Sequence, residues 1–134
     1  MLKTFPIKCI LIGDSFSGKT SILNTFIFQK VDSYSPSTIG IEFHSKILEN
    51  FKLFFWDTAG LERFRAVTLS FYKKCQIAYI VYDVSNKNSF DNINYWYTQV
   101  INHAKNIIRI VLVGNKNDTN NRQVDYNDGK KFAE

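Results

Sequence analysis

The chain has 134 residues, a net charge of +5, 45% hydrophobic and 16% aromatic content. That length predicts one domain with a real core, and the apolar content excludes a disordered chain. No basic run exceeds Lys73-Lys74 or Lys130-Lys131, so a solvated surface is preferred to nucleic-acid binding. No apolar stretch reaches membrane-spanning length, and Pro6 and Lys8 interrupt any signal-peptide core. Cys9 and Cys75 make no disulfide framework and read as reduced thiols of a cytoplasmic protein.

In chain order, residues 7–12 are almost continuously apolar, as in a buried central strand. A helix is predicted from near Gly18, with Ile22, Leu23, Phe26 and Ile27 on one face. Residues 33–38 form a loop marked by Ser and Pro36. Ile41, Phe43 and Ile47 alternate with polar residues, apart from Ser45 on the inward side, which predicts a half-buried strand. After a turn at Glu49-Asn50, residues 51–56 return as its antiparallel partner. Residues 67–74 are predicted helical and 77–84 a buried strand. The next helix starts about Ser89, with Phe90, Ile93, Tyr97, Val100, Ile101 and Ala104 on one stripe. A strand over 107–113 and a last helix from near Val124 complete the pattern. Strands alternating with helices predict an α/β fold, a mostly parallel sheet with helices on both faces and one antiparallel hairpin strand.

Three polar motifs fall at predicted strand ends, where such sheets bind ligands. Gly13-Asp14-Ser15-Phe16-Ser17-Gly18-Lys19-Thr20 fits Gly-x-x-x-x-Gly-Lys-Ser/Thr between a strand and a helix. Its backbone N–H groups can form an anion nest, which Gly13 and Gly18 permit. Lys19 adds charge for the terminal phosphates, and the Thr20 hydroxyl suits Mg²⁺. Asp57-Thr58-Ala59-Gly60 and Asn115-Lys116-Asn117-Asp118 follow. Alone, the second could be a helix cap and the third a surface turn. Together, in this order and at one edge of the sheet, they are stronger evidence for a phosphate-binding site than any one motif.

This set resembles the Ras superfamily of small GTPases and looks most like the Rab family. The likeness rests on the three motifs, on Ser37-Thr38-Ile39-Gly40-Ile41-Glu42-Phe43, on Trp56 to Gly60 followed by Glu62-Arg63-Phe64-Arg65, and on Ile80-Val81-Tyr82-Asp83-Val84. It spans nearly the whole chain from Ile7, and implies the three-layer α/β/α fold of P-loop NTPases. It further implies GTP/GDP and Mg²⁺ as ligands. Gly13, Ser15, Phe16, Ser17, Gly18 and Lys19 would line the phosphates. Thr20, Thr38 and Asp57 would hold Mg²⁺. The Gly60 N–H would sense the γ-phosphate, and Asn115, Lys116 and Asp118 would read the base. An ionised Asp118 only accepts hydrogen bonds, and guanine offers two adjacent donors that adenine lacks. The loops around Thr38 and Gly60 would act as switches. Phe43, Trp56 and Phe71 match an aromatic triad that presents an effector patch. Effectors, an exchange factor and a GTPase-activating protein would meet residues 38–43, Trp56 and residues 61–71. The implied protein is a monomer in vesicle and protein transport.

Four departures modify that expectation. Leu61 stands where the family has the glutamine that orients water, beside Gly60 and Lys19 in the catalytic set. Leucine neither donates nor accepts a hydrogen bond, so hydrolysis should be slow. Phe16 is bulky for the phosphate loop, with a ring that points to solvent or lies over the nucleotide. Val31 replaces an aromatic that packs on guanine. The chain ends inside the helix after the base motif, so the domain over residues 1–134 reads as incomplete, without the family's last strand and last helix. It carries no C-terminal cysteine for prenylation, so it has no direct membrane anchor here and would be peripheral at endomembranes only in a full-length prenylated form. Three functions stay open: a cycling GTPase, a GTP-holding effector-binding module with negligible hydrolysis, and a degenerate domain with weak nucleotide binding.

Overall fold

The computed structural model describes residues 3–28, 42–58, 69 and 71–134. The expectations for Val31, Thr38, Gly60 and Leu61 lie outside them, as do most of those for the helix predicted over 67–74. Its described part, at Leu69 and Phe71-Tyr72, is helical.

A five-stranded sheet has the order β2-β3-β1-β4-β5. The strands are β1 (Phe5–Ile12), β2 (Glu42–Leu48), β3 (Phe51–Asp57), β4 (Ile77–Asp83) and β5 (Arg109–Asn115). β1 pairs in parallel with both β3 and β4, and β4 in parallel with β5. Only β2 runs antiparallel, against β3, in the register Glu42↔Asp57 to Leu48↔Phe51. The hairpin turns at Glu49, whose φ of 52° is left-handed.

The apolar run of β1 is continuous because both faces of the strand are covered. Cys9 and Leu11 join Leu23 of helix α1 (Lys19–Phe28) and Phe55 in one core cluster. Ile10 and Ile12 face the other way, into a cluster with Ile80, Tyr82, Ile93, Trp96, Val100 and Val124. Helices α2 (Lys87–Asp91), α3 (Ile93–His103) and α4 (Tyr126–Ala133) lie on that second face. Phe132 of α4 meets Phe90 and Tyr97 edge-on at 6.2 and 6.5 Å. Three layers result, and trimming Ile10 or Ile80 to Ala would cost about 2–5 kcal/mol. No helix of the described residues is long and apolar enough to cross a membrane.

Two sequence expectations need correction. The helix predicted from Ser89 is broken. Asn86 caps α2 by accepting from the Asn88 and Ser89 N–H groups, and Asn92 separates α2 from α3. Along α3 and its C-cap the buried stripe is Ile93, Trp96, Val100 and Ala104, and Tyr97 and Ile101 are 41% and 54% exposed. In β2, Ile47 is 60% exposed rather than inward. α1 packs on the opposite face of the hairpin, where Phe26 meets Phe55 at 5.6 Å and the Lys46 ammonium lies over Phe26.

Candidate functional site

Because β3, β1, β4 and β5 are parallel, their carboxyl ends share one edge of the sheet, and every predicted motif in the described residues emerges there. β1 leads into Gly13, β3 ends on Asp57 and β5 ends on Asn115. The phosphate loop turns through three left-handed residues, Gly13 (φ 146°), Phe16 (φ 64°) and Gly18 (φ 98°). Such turns bring successive N–H groups to one concave side. The glycines are also required by space. A Cβ on Gly13 would lie 2.1 Å from the Val81 carbonyl oxygen, and one on Gly18 2.0 Å from Asn115 Nδ2. Phe16 has no such excuse: its ring is 70% exposed, so the loop carries it to solvent.

Lys19, at the start of α1, curls back over the loop. Its ammonium donates to the Gly13 and Asp14 carbonyls, each at 2.9 Å. Burial lowers its pKa to about 8, although the Asp57 and Asp14 carboxylates pull it back up. Ser17 is 1% exposed, and its hydroxyl has no protein partner. Ser15 beside it is half-buried. A buried cation and an unpartnered buried hydroxyl beside a nest of N–H groups fit a polyphosphate.

Thr20 and Asp57 come from different elements and meet, the Thr20 hydroxyl donating to Asp57 Oδ2. Thr58 holds the register by giving both its N–H and its hydroxyl to the Leu11 carbonyl, at 3.3 and 2.8 Å. The oxygen-only donors of Thr20 and Asp57 fit a hard cation such as Mg²⁺.

The third motif reaches across to the first. Asn115 Nδ2 donates to the Ser17 carbonyl at 2.9 Å, and the Lys116 ammonium to the Phe16 carbonyl at 2.8 Å. Lys116 also lies 2.9 Å from Asp83 Oδ2, at the end of β4. Burial alone would raise the Asp83 carboxyl pKa. Hydrogen bonds from Ser85 and Lys116 outweigh it and hold the group below its usual range. Asp118 is exposed in the turn that Thr119 N–H closes on the Lys116 carbonyl, at 3.1 Å. Arg122 pins the segment beyond, donating to the Val124 carbonyl at 2.7 Å and to Asn117 Oδ1.

Sequence reasoning missed several of these groups. In the sequence Asp83 reads as a strand residue within the Rab-like stretch 80–84, with no partner assigned, yet it pairs with Lys116. Asp14 was read as a variable loop position, yet its carboxylate accepts from Asn92 Nδ2 at 2.7 Å and from Trp96 Nε1 at 3.0 Å. The Asn92 and Trp96 contacts join residues 78 and 82 positions apart, beyond any local pattern. Of the expected aromatic triad, Trp56 and Phe71 meet at 5.7 Å, and Phe43 stands opposite Trp56 in the β2–β3 register.

A profile of the Ras family matches residues 8–134. The chain is 43% identical over 135 residues to the Ras-related protein Rab11A of Lotus japonicus, covering 97% of this chain and 60% of that protein. It is 41% identical over 140 residues to the Ras-related protein Rab-8A of Mus musculus, covering 99% and 68%. It is 41% identical over 138 residues to the GTP-binding protein ypt2 of Schizosaccharomyces pombe, covering 97% and 68%. The chain therefore spans about three fifths to two thirds of the length of these relatives.

Proposed function

The chain belongs to the Ras family, and from that premise we propose that it is a Rab-like guanine-nucleotide switch acting in vesicle transport. One observation carries the reading. Asn115 and Lys116 are bonded to the Ser17 and Phe16 carbonyls of the phosphate loop. A phosphate site and a base site are thereby held at a fixed separation, as one nucleotide needs.

The residues divide the work. The loop N–H groups around Gly13, Ser15, Phe16, Ser17 and Gly18 receive the phosphates, and the Lys19 ammonium, held by loop carbonyls, gives its remaining donor to phosphate oxygens. Thr20 and Asp57, with Thr38, would hold Mg²⁺, which would supply charge neutralisation for the phosphates. Asp118 accepts from the guanine ring N–H and amine, and Lys116 keeps the adjoining backbone in place. Gly60 reads the γ-phosphate, so the segments bearing Thr38 and Gly60 differ between GTP and GDP states. Effectors, exchange factors and activating proteins read that difference at residues 38–43, Trp56 and residues 61–71. Residues 1–134 belong to a single GTPase domain and make up only part of it.

Leu61 favours a slow cycle. With no hydrogen-bonding group at that position, the attacking water is not oriented, and the GTP state persists. The test is the nucleotide carried by purified protein and its turnover. Intact GTP, with Leu61→Gln raising single-turnover cleavage, is the expected result. Rapid conversion to GDP by the unaltered chain would contradict the slow cycle, and protein that retains no guanine nucleotide would contradict the switch.

A further inference from the structure

Asp14 has two jobs in the phosphate loop, one for each end of the residue. Its main-chain carbonyl accepts from the Lys19 ammonium at 2.9 Å and from the Ser17 N–H at 3.3 Å, closing the turn of the loop. Its carboxylate leaves the loop and accepts from Asn92 Nδ2 at 2.7 Å and Trp96 Nε1 at 3.0 Å. Both donors stand at the start of α3, one turn apart. The Trp96 ring is 9% exposed and packs in the cluster that holds Ile10, Ile80, Ile93 and Val100. The position of its N–H is therefore set by the core rather than by the surface.

We propose that Trp96 and Asn92 are positioning residues for the nucleotide site. They hold the Asp14 side chain so that the Asp14 carbonyl stays in place for Lys19 and Ser17. Neither residue touches the phosphates. Each acts through Asp14, and the rigid core behind α3 becomes the frame on which the loop is hung. Two charge-assisted hydrogen bonds on one carboxylate make a firm tether, because such bonds are shorter and stronger than neutral ones. A loop with three left-handed residues needs such a tether, since one of the three is the non-glycine Phe16. The inference rests on the guanine-nucleotide reading for its consequence, and on the contacts alone for its geometry.

The experiment measures amide hydrogen exchange at Ser17 in the full chain without nucleotide, and GDP release with nucleotide and Mg²⁺. Trp96→Phe keeps an aromatic ring in the core and removes only the donor. Asn92→Ala alters an exposed residue. Each is expected to speed Ser17 exchange and GDP release by about tenfold, the loss of one hydrogen bond to a charged group. Asp14→Ala removes both bonds and should speed both by at least as much, and adding Trp96→Phe or Asn92→Ala to it should change nothing further. That non-additivity separates positioning from plain core packing, whose loss would persist in the Asp14→Ala background. Additive double variants, or wild-type exchange in Asn92→Ala, overturn the proposal, and Asn92→Ala decides the matter if Trp96→Phe does not fold. Absence of guanine nucleotide binding in the unaltered chain overturns the function proposed above, while the exchange cycle still decides the tether.

Discussion

Lys116 and Asp83 form an ion pair at 2.9 Å across the ends of neighbouring strands β5 and β4. The same ammonium holds the Phe16 carbonyl, so the pair ties the base motif to both the sheet and the phosphate loop. Asp83 is the more buried partner, with 10% of its side chain exposed against 42% for Lys116. The folded state lowers the Asp83 pKa, so the carboxylate contributes stability above the pKa of the unfolded chain. That contribution is lost as pH falls through the lower, folded value. Asp83→Asn should therefore destabilise the protein by about 1 kcal/mol at neutral pH and by less below the ordinary carboxylate range. Denaturant titrations of both proteins across pH check this. An equal difference at every pH would show that the charge is not what matters.

Phe16 occupies a left-handed backbone conformation with its ring 70% exposed. A residue with a Cβ pays roughly 1 kcal/mol there relative to glycine, and an exposed ring returns little burial. Phe16→Gly should accordingly stabilise the nucleotide-free protein by about 1 kcal/mol, less the added freedom of the unfolded chain. Thermal melts read the sign. A lower Tm in Phe16→Gly would mean that the ring is packed after all.

Gly129 lies in α4, where alanine would ordinarily gain about 1 kcal/mol in helix propensity. A Cβ at that position would meet the Tyr82 hydroxyl oxygen at 2.5 Å but the ring carbon behind it at 3.6 Å. Tyr82 is 4% exposed, so it has little room to withdraw. Overpacking of this kind costs about 1–3 kcal/mol, which outweighs the propensity gain. Gly129→Ala is predicted to destabilise the parent and to be neutral or stabilising in a Tyr82→Phe background. The double-mutant cycle from denaturant unfolding decides between this contact and a backbone requirement at Gly129.

The parts of the site legible in the sequence are those whose residues are adjacent in the chain. Lys19 and Thr20 sit within one Gly-bracketed run, and Asn115, Lys116 and Asp118 within another, each behind a recognisable strand. The parallel order of β3, β1, β4 and β5 then places the runs together without further information. What stayed hidden depends on tertiary pairing. Nothing local marks Asp14 as the partner of Asn92 and Trp96, or Asp83 as the partner of Lys116. The helical stripe was misassigned for a related reason. Periodicity alone ranks Tyr97 and Ile101 with Ile93, because which side of α3 meets the core is set by tertiary packing, and that packing takes in Trp96 instead. Ile47 reads as inward by alternation, and only the side on which α1 lies reverses it.

The proposed switch requires guanine recognition at a site whose phosphate end is held by Lys19 and whose base end is held by Asp118. Its most direct test is displacement of a fluorescent GDP analogue from the purified chain in Mg²⁺ by unlabelled GTP, GDP or ATP. The two bonds that Asp118 can accept from guanine predict displacement by GTP and GDP at concentrations at least about a hundredfold below ATP, and loss of that preference in Asp118→Ala. Equal displacement by ATP, or a preference for guanine that survives Asp118→Ala, would contradict it.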